Sequence, residues 1–398
     1  MTPVPLTARG GLPFPRLDRL PDVAAALAAR ADEHDRDGSF PSEGIAEVHV
    51  AGLLTATVAR RYGGTGTGLS GTVAILRALG RGDPSVALIA AMTLFTHAME
   101  ALAETWPRPL YAEVLTESAQ RPTLINALRV EPDLGSPARG GLPATVARRT
   151  DGGWSLTGRK IFSTGAEGLR WMAVWARTGE DSPRVGNFLV RSDSPGIAIE
   201  RTWDHLGMRA SRSDDVIFTA TPVPSSATAG LAEPASDQGV IPAFMAWNAL
   251  GLTALYLGVA DAARDWLIRF LAERTPSALG RPLATLSRFQ AAVGEIEVAL
   301  AAAGDLVTSL AERTDTGDPD AVARAGMAKL YGTRAAIAAV EQAVALIGNN
   351  GLTRHHPLQR HYRDVLCARV HTPQDDSILT AAGRAAVQAV VPGLLLPG

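Results

Sequence analysis

The side chains able to do chemistry in this sequence are few and scattered: eight histidines, one cysteine and some adjacent carboxylates. His355, His356 and His361 lie close together, but no carboxylate stands beside them at metal-ligand spacing, so no metal site is expected. The single cysteine, Cys367, excludes an intramolecular disulfide and fits a reducing compartment. No Gly-x-Gly-x-x-Gly follows a strand-like run, and neither Gly-x-x-x-x-Gly-Lys-Ser/Thr nor His-Glu-x-x-His occurs. Asp375 and Asp376 are adjacent carboxylates with a structural reading of their own. Thr372 can be an N-cap, Pro373 the N1 residue and Asp375 the N3 acid of a helix start. On residue type alone, His97 reads as a helix-surface or satisfied core histidine and His371 as a loop residue.

The bulk numbers narrow the classes. The chain has 398 residues, 46% hydrophobic and 20% charged, with a net charge of −2 and no long run of either sign. That leaves no basic face for nucleic acid. The stretch from Ile241 to Ala260 is apolar but contains Trp247, Asn248 and two glycines, with Asp237 and Asp261 flanking it. A membrane span needs about 20 nearly unbroken apolar residues, so a buried core helix is expected there and no membrane association. Residues Met1 to Arg16 show no apolar signal-peptide core, and a cytoplasmic location is expected.

Periodicity divides the chain in three. Asp22–Asp35, Ser70–Leu79 and Ser85–Thr105 read as helices, the last two opening on a serine N-cap. Breaks fall at Gly63-Gly64 and Asp83-Pro84. From Leu124 the signal turns to short strand-like runs: Ala144–Ala147, Trp154–Leu156, Trp171–Ala176, Asn187–Val190, Ile197–Ile199 and Val216–Phe218. After residue 236 long helical segments return, over Gly239–Glu273, Leu283–Arg313, Pro319–Ile347 and Pro373–Val391. The expected fold is a multi-domain α+β chain. An N-terminal α-helical domain (1–123) precedes a middle antiparallel β-sandwich or barrel-like domain (124–236) and a C-terminal four-helix bundle (237–398).

Several segments then stand in a telling order. Arg61-Tyr62-Gly63-Gly64 is followed by Val130-Glu131-Pro132-Asp133-Leu134-Gly135-Ser136 and by Gly158-Arg159-Lys160-Ile161-Phe162-Ser163-Thr164-Gly165. Leu206-Gly207-Met208-Arg209-Ala210-Ser211 with Ser213, then Ile347-Gly348-Asn349-Asn350-Gly351, Pro357 and Arg363-Asp364 complete the series. In order and spacing these resemble the acyl-CoA dehydrogenase superfamily, over nearly the whole chain. The resemblance implies a bound flavin, FAD or the FMN that some relatives use. The protein would position and tune that group. Val130, Ser136, Phe162, Ser163 and Thr164 would line it. Arg274 with Gly348, Asn349, Asn350 and Gly351 would hold a diphosphate across a subunit boundary, implying a homodimer or homotetramer. The plain readings are that Phe162 is β-core, Arg274 a helix C-terminal charge and the glycines a C-cap.

The sequence departs from the family where the proton-abstracting glutamate belongs. Counting from Asp364, one home of that base is Thr372; counting back from Arg274, the other lies near Asn248. Neither can take an α-proton. His97 and His371, by contrast, resemble two histidines of the family's reduced-flavin monooxygenase branch, where Ser163 could add a further donor to the oxygenated cofactor. The leading expectation is therefore a two-component monooxygenase that takes reduced flavin from a flavin reductase and oxygenates a small organic substrate. The alternative is an acyl-CoA dehydrogenase or oxidase acting on an acyl thioester, with Asp375 or Asp376 as a displaced base and an electron-transfer flavoprotein as partner. A non-catalytic binding subunit is the third expectation.

Overall fold

The structure is a computed structural model that describes residues 11–134, 141–234 and 242–394. Five helices come first: α1 (Leu20–Asp37), α2 (Ser42–Val50), α3 (Leu69–Gly82), α4 (Pro84–Ala103) and α5 (Arg108–Ser118). Eight strands follow: β1 (Leu124–Leu128), β2 (Val146–Thr150), β3 (Gly153–Lys160), β4 (Leu169–Thr178), β5 (Val185–Arg191), β6 (Ile197–Glu200), β7 (Asp215–Pro224) and β8 (Thr228–Ala232). The chain then returns to helix: α6 (Pro242–Glu273), α7 (Ser287–Asp315), α8 (Pro319–Ile347), α9 (Asn349–Leu352), α10 (Leu358–Leu366) and α11 (Asp375–Val390). Two compact units result, one from residues 1–68 and 85–240, the other from 69–84 and 241–398.

The first unit joins helices to one sheet. In α1 the buried residues Val23, Leu27, Ala31 and His34 recur at helical spacing and form its inner stripe. The strands run in the order β6-β7-β3-β2-β4-β5-β8, with β1 paired to β4. Most pairings are antiparallel, as expected, but β1 and β2 both meet β4 in parallel. Parallel neighbours need a crossover connection, and the residues between these strands supply the length. Strand β4 is buried along both faces, through Trp171, Ala173, Met172 and Val174 among others.

The second unit is a helical bundle, and its fourth long member is unexpected. Helix α3, which stands among the N-terminal helices in sequence, belongs to this unit and packs against α6 and α7. Gly80 and Gly258 let the two backbones close in: a Cβ on Gly258 would lie 2.1 Å from the Arg77 carbonyl oxygen. Asp261 on α6 receives the Arg77 guanidinium through bonds of 2.7 and 3.1 Å. The expected cap of α3 is also corrected. Ser70 lies inside the helix, and the Asp315 carboxylate at the end of α7 accepts the Leu69 and Ser70 amides at 2.6 and 2.9 Å. A cap supplied from so far along the chain carries no local sequence signature.

Helices α4, α6 and α8 are long and apolar enough to cross a membrane by length and composition. In α6 the most apolar window is 78% buried inside the protein, so its apolarity serves the core.

Candidate active site

In the first unit the site grows from two neighbouring segments. The Ile161 amide donates to the Val130 carbonyl at 3.0 Å, laying the end of β3 beside the Val130–Glu131 segment. Beneath this contact a buried ion pair locks the two together. Lys160 Nζ lies 2.6 Å from Glu131 Oε1, and the same carboxylate accepts from Thr145 Oγ1 and from the Ala144 and Thr145 amides. Burial draws Lys160 down to about 8 despite the attraction of Glu131. Burial opposes ionisation of Glu131 as well, yet its donors hold it below the ordinary carboxylate range. With that many donors on one carboxylate, the pair is ionised at neutral pH.

This anchor presents the residues that follow it. Phe162 is 53% exposed and held at φ 54, a left-handed conformation uncommon for an aromatic residue. It is a wall residue and not the β-core residue of the plain reading. Trp203 and His205, stacked 3.6 Å apart, stand edge-on to its ring. Trp203 is fixed in turn by its indole N–H donating to the Met208 carbonyl at 2.9 Å.

Ser163 and Thr164 come next. Their amides are consumed internally, Ser163 by the Asp214 carbonyl at 3.1 Å and Thr164 by the Phe162 carbonyl at 3.0 Å. Thr164 Oγ1 accepts from Ser213 at 3.1 Å. Ser163 Oγ is different: the residue is 1% exposed and the hydroxyl has no partner among the described residues. An orphaned hydroxyl beside a braced aromatic wall fits the polar edge and face of an isoalloxazine ring. Ser136 lies outside the described residues.

His97 sits on α4 in a closed setting. It is 0% exposed, and its Nδ1 meets the Tyr111 hydroxyl at 2.9 Å. The rings of Tyr62 and Trp106 pack edge-on to Tyr111. Burial pushes the imidazole down to about 4. Two turns earlier on the same stripe, Ile89 packs at Gly165, which places His97 about 12 Å further along the helix. His97 therefore stays neutral at pH 7 and does not bond to Ser163 directly.

An acid titration tests that neutrality. An unfolded histidine takes up a proton as pH falls below about 6.5, while the folded one resists until about 4. The native state thus loses stability on acidification, by about 3 kcal/mol at most. Between pH 7 and pH 4, urea midpoints of the wild type should fall further than those of His97→Gln by that amount. Parallel acid slopes would mean that the folded imidazole accepts a proton.

In the second unit, the two positions expected for the base lie side by side. Asn248 Nδ2 on α6 donates to the Thr372 carbonyl. Positions 124 residues apart converge, and neither is a carboxylate. His371 is beside them, its ring 5.7 Å from that of Tyr256. The surrounding protein and then the Lys329 charge hold His371 down to about 4, although its residue keeps partial solvent access. Tyr256 is fully buried and its hydroxyl has no partner.

The neighbouring carboxylates are engaged. Asp375 faces Lys329 Nζ at 3.4 Å and Arg334 at 3.2 Å. Lys329 is itself 1% exposed, and burial lowers it below the ordinary ammonium range. Asp376 is exposed and accepts the Ser377 amide at 2.8 Å. The expected helix start is corrected here too: α11 begins at Asp375 with Gln374 as N-cap, so Thr372 caps nothing and Asp375 serves an ion pair. Thr372 instead spends its carbonyl on Asn248.

The residues expected to hold a diphosphate lie on the surface of this unit. Arg274 is exposed just past α6, and Gly348, Asn349 and Asn350 form an exposed turn after α8. Gly348 has φ 57 and ψ −132, a conformation that favours glycine. Gly351 is buried, and a Cβ there would lie 2.8 Å from the Val344 carbonyl. Trp203, His205, Tyr111, Tyr256 and Lys329 escaped sequence reasoning because no spacing marks them.

Comparison with known proteins agrees with this geometry. Family models described as acyl-CoA dehydrogenase N-terminal, middle and C-terminal domains match residues 22–111, 129–221 and 250–375. YdbM of Bacillus subtilis, named after the acyl-CoA dehydrogenases, is 33% identical over 91% of this chain and 94% of its own length. L-evernosamine nitrososynthase of a Micromonospora species is 30% identical over 88% and 84% of the two chains. The structure of KijD3 with FMN and a dTDP-amino-keto-sugar superposes with a TM-score of 0.80 at 28% identity, covering 93% of this chain and 92% of that one. Matched in all three of its domains, the chain belongs to the acyl-CoA dehydrogenase family of flavin-dependent oxidoreductases.

Proposed function

We propose that this protein is a monooxygenase that receives reduced flavin from a separate reductase and oxygenates a small organic substrate. The observation that carries this reading is the Asn248–Thr372 contact: the place where a dehydrogenase keeps its base holds an amide and a backbone carbonyl. A bound reduced flavin supplies two electrons to dioxygen, one oxygen atom going to the substrate and the other leaving as water. Phe162, braced by Trp203 and His205, provides the wall that orients the ring. Ser163 Oγ offers its proton at the polar edge, and His97 and His371 serve as neutral imidazoles. Arg274 and the Gly348–Gly351 turn suit the diphosphate of FAD bound to a second copy, and the FMN in the KijD3 structure makes the shorter cofactor the other option.

The likeness to YdbM favours a second reading, a dehydrogenase whose base is Asp375 or Asp376. Asp375 would first have to leave Lys329 and Arg334. Anaerobic mixing of flavin-loaded protein with acyl-CoA thioesters separates the two. The expected result is no bleaching, together with incorporation of label from isotopic dioxygen when amines or sulfides are supplied with reduced flavin. Bleaching by a thioester that Asp376→Asn abolishes would establish the dehydrogenase.

A further inference from the structure

We propose that Tyr111 fixes His97 as its Nε2–H tautomer, making the buried histidine a standing hydrogen-bond donor. This rests on the oxygenase reading only for the use of the donor. The hydroxyl of Tyr111 and Nδ1 of His97 are 2.9 Å apart, and both residues are buried. A phenol carries one proton, and a neutral imidazole one donor and one acceptor. Two arrangements are therefore open, and they differ in what they leave unmade.

In the first, the phenol donates to Nδ1 and the ring proton sits on Nε2. In the second, Nδ1–H donates to the phenol oxygen, and the phenolic proton must find another acceptor. Glu100 bears on Tyr111 electrostatically, but its oxygens are occupied by Thr105 and by the Trp106 amide at 3.0 Å. Trp106 and Tyr62 present ring edges or faces. Among the described residues His97 is the only hydrogen-bond partner of the Tyr111 hydroxyl. Each arrangement leaves one buried donor unmade, Nε2–H in the first and the phenolic O–H in the second, but the second also leaves the Nε2 lone pair bare, so the first is adopted.

Ile89, Thr93 and His97 are spaced four apart on α4 and share one stripe. Ile89 packs at Gly165 and Thr93 Oγ1 accepts the Ile125 amide at 3.0 Å, and His97 continues the stripe beyond them toward Tyr111. Among the described residues Nε2 of His97 has no hydrogen-bond partner. Tyr111 is thus a positioning residue: it touches no reactant, and it decides which ring nitrogen carries the proton.

The test reads the ring nitrogens directly. Flavin-free protein with 15N-labelled histidine is compared as wild type, Tyr111→Phe and His97→Gln, the last assigning the resonances. Long-range 1H–15N spectra at neutral pH should show His97 with Nε2 protonated and Nδ1 bare. Tyr111→Phe should move the pattern toward a mixture of both tautomers. A wild-type ring protonated on Nδ1 overturns the inference, as does an unchanged pattern in Tyr111→Phe. If that variant does not fold, the wild-type spectrum alone decides. With reduced flavin, dioxygen and an amine or sulfide substrate, Tyr111→Phe should release about tenfold more hydrogen peroxide per turnover. The assigned tautomer with unaltered peroxide release would keep the inference and overturn the part given to His97 in oxygenation.

Discussion

Glu131→Ala is expected to destabilise the first unit by roughly 3–5 kcal/mol, because it leaves a buried ammonium without its counter-charge. Lys160 is fully buried, and the Glu131 carboxylate is its close anionic partner at 2.6 Å. Its other acceptor among the described residues, the Trp175 carbonyl, cannot neutralise the charge. The substitution also releases the Ala144 and Thr145 amides that converge on the carboxylate. Denaturant midpoints measure the loss. Flavin affinity should fall with it, since the Val130–Glu131 segment and the end of β3 are held together at this point. Removing both charges, as Glu131→Leu with Lys160→Met, should recover most of the stability, since an apolar pair of similar volume replaces a desolvated ionic one. A single variant within about 1 kcal/mol of wild type would refute the account of the pair as a locked, water-free anchor.

Gly258→Ala should lower the melting temperature by about 10 °C, through an overpacking cost of about 3 kcal/mol. The added Cβ would lie 2.1 Å from the Arg77 carbonyl oxygen and 2.8 Å from the Arg81 amide nitrogen. Both are backbone atoms, so no side-chain rotation relieves the clash and α3 must move away from α6. Gly80 faces Leu255 in the same manner at 2.2 Å, which makes the approach reciprocal. Gly294→Ala in α7 is the matched control, because a Cβ there meets nothing within 4 Å. That change should be neutral or stabilising by up to about 1 kcal/mol, as expected for alanine in an open helical position. Equal melting of the two variants would show that α3 and α6 are not in backbone contact.

Much of the three-part order was legible because long apolar periodicities and turn residues are local signals. Helix α8 lies where its pattern placed it, Pro319–Ile347, opened by an Asp318 cap and a proline. Strand β1, with the sequence Leu-Ile-Asn-Ala-Leu, was missed because it shows neither alternation nor β-branched enrichment; its place is set by pairing with β4. The partnership of α3 with α6 was likewise hidden, since Gly80 and Gly258 look like helix-weakening residues until the two backbones are seen to meet. At the site, the motif order brought out Phe162, Ser163 and the vacant base positions. It could not bring out Tyr111, which lies on a different helix from His97 and meets it only through packing. Nor could it show that Asp375 belongs to Lys329, 46 residues away. Contacts of that kind are decided by the packing of helices and leave no imprint on spacing.

The early place of α3 in the chain has a consequence for how the protein is made. Its apolar side chains Leu69, Val73, Ile75, Leu76 and Leu79 find their cover on helices synthesised much later. Arg77 precedes its partner Asp261 by 184 residues, which a ribosome adding 5–20 residues per second takes roughly 10–40 s to traverse. The capping carboxylate Asp315 emerges later still. During translation this amphipathic helix is exposed, uncapped and unpartnered while the whole β domain is threaded out after it. The nascent chain is therefore most open to chaperone capture or premature association in that interval, and slowing the ribosome between codons 82 and 261 should raise the aggregated fraction without changing a single residue of the product.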